Sequence, residues 1–389
     1  MKNNIYLLFI YLSLSICSCT DSNPIYSTDL IFHKKIEIPI DADIYYESKA
    51  IFSFEDPRTQ KEYLSYENNA KGQHEIIVFD LETGGLVKRV NVEFEGPNAI
   101  FMFGHFPIDL NNFYVTSTAL QTIYKISDEG TIVDHFNYSS TNSEQMLSYS
   151  FSSTWIYNPL IIKDSCFYLT QEPMFFAMGE DEWKKSPLCA KVSMKDKRVT
   201  KLPLSYPVLT KRKISGDELS DFDFGYCRDF DGEKFIYSFY RKDDILVTKD
   251  HISSEKHSAK SRYAKDIKPI LSSSTDIFSS MKENLEHALY WHFVYDKYRN
   301  IYYRFVFFPC TLDVADSKTL RELSSVRQEF SVIVMNDKFE IIGETKFPKN
   351  KYSPKMFFIG KKGLYISENN PLNPEFDEDK LVFSCFVLE

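Results

Sequence analysis

Arg304 is the residue whose type and place point most directly to chemistry. It falls in one of a series of short aromatic segments, and its position is filled in the others by Tyr66, Thr116, Thr170, Ser238 and Ser367, all neutral. A guanidinium in a strand pressed between sheets must find a carboxylate or open onto water. The expected arrangement is an ion pair with an acid of a neighbouring sheet; on a wet channel it would instead clamp a ligand carboxylate. His105, between Phe103 and Phe106, is the one histidine kept as a candidate acid or base. His287 and His292 are five apart, so one helix or strand cannot aim both at one metal. His251 and His257 lie in a polar stretch and are expected to be solvated.

Four aromatic residues are candidate ligand contacts: Phe103, Trp155, Tyr157 and Trp183. They belong to stretches 96–106, 150–158 and 171–183, which are apolar for loops. Such rings either line a sugar or peptide site or pack on one another as a lid. Self-packing is the expected outcome, because exposed apolar patches are rare on monomers. The sequence contains no G-x-S-x-G, H-E-x-x-H, G-x-x-x-x-G-K or paired C-x-x-C. Cys166, Cys189, Cys227, Cys310 and Cys385 are irregularly spaced and read as small buried hydrophobes, with Cys166–Cys189 the one pairing worth testing.

The amino terminus supplies an address. Lys2 precedes an uncharged apolar run, residues 5–16, well short of the ~20 residues a bilayer requires. Ile16-Cys17-Ser18-Cys19 then resembles a bacterial lipobox with Cys19 as the lipidated residue. Residues 1–18 are expected to be a signal peptide and 19–29 a polar tether, leaving 30–389 as the folded body. Aromatics make up 16% of the chain, with Phe 33 and Tyr 25, a composition of packed strands rather than disorder. The formal charge of −9 argues against a nucleic-acid partner, which would need a basic face.

What must position these residues is a loose repeat. Aromatic strands start near Glu62, Asn112, Cys166, Lys234, Asn300 and Gly363, each followed by a second strand, a turn and a third. Intervals of roughly 50 to 70 residues are those of propeller blades with insertions. The turns 80–85 and 127–130 end in glycine, which supplies the positive φ of a tight hairpin. Residues 30–40 form a strand without a unit of its own, and Pro39 suits an outer edge. Placed beside residues 380–388, that strand closes a six-bladed, all-β propeller. A helical insertion near 276–289, with Phe278, Met281, Leu285 and Leu289 on one side, is expected between the fourth and fifth blades.

The segments Ser261-Arg-Tyr-Ala-Lys-Asp-Ile-Lys-Pro269 and Tyr295-Asp-Lys-Tyr-Arg-Asn-Ile-Tyr-Tyr-Arg304, with the aromatic strand starts, resemble the TolB-like six-bladed propeller lipoproteins of the Bacteroidetes, a domain of unknown function. The resemblance implies a fold and an envelope location, and carries over no catalytic residue. The functional expectation is an outer-membrane lipoprotein without cofactor, acting as a binding or scaffold module that engages a peptide, glycan or protein partner through channel-side loops. The alternative is a metal-dependent hydrolase or lactonase, in which Glu67, Asn98, Asn158 and Glu368 would offer oxygens to calcium.

Overall fold

The computed structural model describes residues 26–48, 50–72, 74–101, 104–117, 120–138, 158–171, 186–207, 218–219, 225–265, 267, 271–272, 277–312 and 316–389. Six four-stranded antiparallel sheets form the blades of a propeller, the first five running in chain order from the axis outward. The innermost strands are Ile51–Glu55, His105–Asp109, Ile161–Lys163, Tyr226–Phe230, Leu289–Asp296 and Ser353–Gly360. The sequence repeat begins one strand further out: its aromatic starts are the second strands, such as Glu62–Asn68 and Ile301–Phe307. The innermost strands escape the pattern because they are short or carry charge, as Ile161–Lys163 and Tyr226–Phe230 do.

Closure is as expected. The sixth blade takes its outer strand from the amino terminus, with Leu30 paired to Leu388 and Pro39 to Lys380. Fastening begins before that strand, since the Ser27 and Thr28 amides donate to the Ile342 carbonyl at 2.9 and 3.1 Å. A Cβ on Gly343 would lie 2.0 Å from the Thr28 carbonyl oxygen, so this crossing requires glycine. Gly130 has the φ of 77° that its hairpin demands.

The hairpin turns after the innermost strands of the first and fifth blades share one design. In the fifth blade Asp296 accepts from the Tyr298 and Arg299 amides at 3.0 and 3.2 Å and from the Arg299 guanidinium at 2.7 Å. Arg299 then reaches the Lys361 carbonyl of the sixth blade at 2.8 Å. In the first blade Asp56 accepts from the Arg58 and Thr59 amides and, across the blade boundary, from the Leu110 amide at 3.2 Å. The Arg58 side chain holds the Asp56 carboxyl well below the usual carboxylate range. The segment 295–304 is therefore a strand–turn–strand hairpin whose turn, 297–300, helps tie neighbouring blades together.

Segment 261–269 also has a structural explanation. Buried Glu344, on the outer strand of the fifth blade, accepts from the Ser261 and Ser331 hydroxyls at 2.6 Å each and from the Arg262 amide at 2.7 Å. Part of the polar stretch expected to be an insertion is the fourth blade's outer strand, Glu255–Ser258. The helix lies at Ile277–Leu285, and Leu289 instead opens the innermost strand of the fifth blade. A second helix, Ser317–Val326, capped by Asp316, packs against the first through Leu285, Leu320 and Leu323. Both helices lie on the face of the blade-to-blade connections.

Candidate ligand-binding site on the loop face

Arg304 is neither in an ion pair nor on a channel. It is fully buried on the second strand of the fifth blade and stacks on the Tyr290 ring with its guanidinium carbon 3.4 Å from the centroid. Its donors go to the Ser238 hydroxyl (2.9 Å) and to the carbonyls of Asp243 (2.7 Å), Ala259 (2.8 Å), Lys242 (2.6 Å) and Phe239 (3.4 Å). Neither a carboxylate of the described residues nor bulk water meets it. Carbonyl oxygens of the fourth blade's loops serve instead, because five donors in a fixed fork can gather that many acceptors at once. Burial pulls the group down to about 10, which leaves it charged at neutral pH. Arg327 does similar work, donating to the Leu285 and Asn284 carbonyls at 3.1 and 2.8 Å and so fixing the end of the first helix.

His105 is on an innermost strand rather than in a loop, and it is fully buried. It packs edge-on to Phe52, with ring centroids 5.7 Å apart, and neither ring nitrogen has a hydrogen-bond partner among the described residues. Burial lowers its pKa to about 3, so at neutral pH it is an uncharged core ring with no proton to exchange. Its folded pKa lies below the unfolded value near 6.5, so the stabilisation is present above 6.5 and lost as pH falls toward 3. Between pH 7 and 4 that one group removes about 3 kcal/mol. His105→Phe is therefore expected to retain more stability than the parent over this range, measured by urea unfolding at both pH values.

Other expectations are corrected or displaced. His251 is buried, not solvated: its Nε2 meets the Tyr237 hydroxyl at 2.7 Å, and burial lowers its pKa to about 3. Cys166 pairs with Ser193 and Cys189 with Thr170, so the two cysteines stand at opposite ends of the strand pair and both are free. Asn158 is spent on the innermost strand of the fourth blade, donating to the Tyr226 carbonyl and accepting from the Arg228 amide, while Glu368 accepts from Ser384 and pairs with Lys35 at 2.9 Å. Among the described residues no three His, Cys, Asp or Glu side chains gather to hold a metal. Phe103, Trp155, Tyr157, Trp183 and Cys19 lie outside the described residues.

The loop face does hold a pocket. A cavity of about 270 Å³ opens between the two helices and the innermost strand of the sixth blade. Met281 and Met356 provide its apolar wall; Arg321, Lys355 and Glu47 provide charge. Lys355 is anchored by the Ser324 carbonyl and lies over the Trp291 ring, 4.7 Å from its centroid. Arg321 is exposed, with its guanidinium carbon 5.4 Å from the Phe278 ring centroid. None of these residues stands out in the sequence: the second helix interrupts a β pattern, and Arg321 acquires meaning only when the first helix packs beside it.

The molecule is thus a six-bladed propeller that carries two helices and a charged, methionine-walled pocket on one face. The chain belongs to the family described as a domain of unknown function (DUF4221), which matches residues 28–346. It is similar to the crystal structure of a DUF4221 family member from Bacteroides vulgatus ATCC 8482, at 36% identity and TM-score 0.82, covering 94% of this chain and 99% of that one. A candidate exported protein from Bacteroides fragilis NCTC 9343 shares the fold at 8% identity and TM-score 0.52, over 95% and 98% of the two chains. No curated protein matches the chain.

Proposed function

We propose that this chain is an envelope lipoprotein of the outer membrane, anchored through Cys19, that binds a peptide, glycan or protein partner on its loop face. Residues 1–18 act as the export signal, 19–29 as the tether and 30–389 as the binding body. The observation that carries the reading is the pocket between the helices and the sixth blade. Two cations and one acid beside flexible methionines suit recognition of an acidic group on a partner, with the thioethers adapting to its apolar part.

Two substitutions test this. Cys19→Ala is expected to move the protein from the membrane fraction to the soluble one. Arg321→Ala, at an exposed helix position, is expected to weaken binding to carboxylate-bearing peptides or oligosaccharides on an array by about tenfold, with Tm unchanged. Membrane retention by the first variant, or undiminished capture by the second, would remove the proposal.

A further inference from the structure

The channel has a second mouth, on the face of the tight hairpins. Asp229, Tyr295 and Ile359 are each the penultimate residue of an innermost strand, so they mark the end of the axis opposite the helices. They border a cavity of about 170 Å³ that opens beside Lys297 of the hairpin turn and reaches inward past Val294 to Phe52, the second residue of its own innermost strand; four different blades contribute these residues. Ligand pockets of ordinary size run to about 300–1,000 Å³, so this one suits a small molecule.

Its chemistry is dipolar. Asp229 is 8% exposed; one carboxylate oxygen accepts from its neighbour Phe230 N–H at 2.8 Å and the other from the Tyr295 N–H at 2.6 Å. These bonds fix the carboxylate and leave each oxygen further acceptor capacity. Arg228 does not neutralise it, because that guanidinium is turned away to the Tyr168 carbonyl at 2.9 Å. Lys297, in the exposed turn, puts a cation at the rim, its ammonium 5.0 Å from the Tyr298 ring centroid. A bare cation entering would meet Lys297 and a bare anion would meet Asp229. A molecule carrying both charges meets a partner for each.

We propose that this mouth binds a free α-amino acid, its ammonium on Asp229, its carboxylate on Lys297 and an apolar side chain against Phe52, Val294 and Ile359. Burial raises the Asp229 carboxyl to about 7, with Asp231 adding to the rise and the two amides and Arg228 opposing it. Asp231 itself is engaged by the Tyr302 hydroxyl at 2.6 Å. The bound ammonium requires the ionised carboxylate, so affinity is about tenfold higher at pH 8 than at pH 6.

The test is calorimetric titration of the detergent-solubilised full chain with L-leucine, leucine amide and N-acetyl-leucine at both pH values. Leucine is expected to bind, with N-acetyl-leucine weaker by about tenfold or more. Leucine amide is expected to be weaker than leucine in the parent and equal to it in Lys297→Ala. Asp229→Asn is expected to abolish the pH dependence and most of the affinity. No leucine binding below about 10 mM at pH 8 would overturn the proposal. So would leucine affinity unchanged in Lys297→Ala, an exposed substitution that decides the matter even if Asp229→Asn does not fold.

Discussion

Replacing Arg304 by alanine is expected to destabilise the propeller by about 4 kcal/mol and lower its Tm by roughly 5 °C. The side chain is fully buried and serves four carbonyls and a hydroxyl drawn from the fourth blade and the connection leaving it. Its removal strands those acceptors away from water, and an unmet buried acceptor costs about 1–3 kcal/mol, although the terms do not add. It also removes a cation held against the Tyr290 ring at 3.4 Å. Arg304→Lys keeps the charge but has three donors on a flexible stem, so it is expected to recover less than half of the loss. Urea unfolding of the three proteins at neutral pH measures this. A ligand-clamping arginine would behave differently, with little change in unfolding and a large change in binding.

A still larger effect is expected from removing residues 26–39. The strand Leu30–Pro39 contributes the ninefold register against Lys380–Leu388, and its Ile38 is fully buried. Without it the last strand becomes an unpaired edge that invites association with another chain. The truncated protein is expected to run as dimers and larger species in size-exclusion chromatography with light scattering, and to lose its cooperative thermal transition. The point variant Ile38→Asp isolates the burial term, at about 3–5 kcal/mol, because a carboxylate must enter a site where no partner awaits it. A monomeric truncation with the parent's Tm would show that the ring does not depend on this closure.

The closing strand could be read from sequence because two features agreed: an orphan alternating segment at one end and a unit short of a partner at the other. Second and third strands were legible for the same reason, since their aromatic and aliphatic alternation survives in every blade. The innermost strands were not. They are buried on both sides, and Tyr226–Phe230 carries Arg228 and Asp229, which read as a loop until neighbouring blades supply Asn158 and the Tyr295 amide as partners. His105 was misplaced in a loop by the same gap. The helix Ser317–Val326 has a legible start at Asp316, yet its seat depends on Leu285 and Cys310 from other segments. Arg304 shows the limit most clearly. Its singularity among neutral counterparts was visible, but carbonyl partners cannot be read from side-chain identities, because every residue has one.

Pairing Leu30 with Leu388 sets the order of events during biogenesis. The first strand of the ring to be synthesised waits for the last, so the ring cannot lock until residues 380–388 have been made. Until then blades one to five must hold as an open arc, cohering through boundary ties such as Asp56 to Leu110 and Arg304 to the fourth blade. So wide a sequence separation slows closure and prolongs the exposure of two unpaired edges.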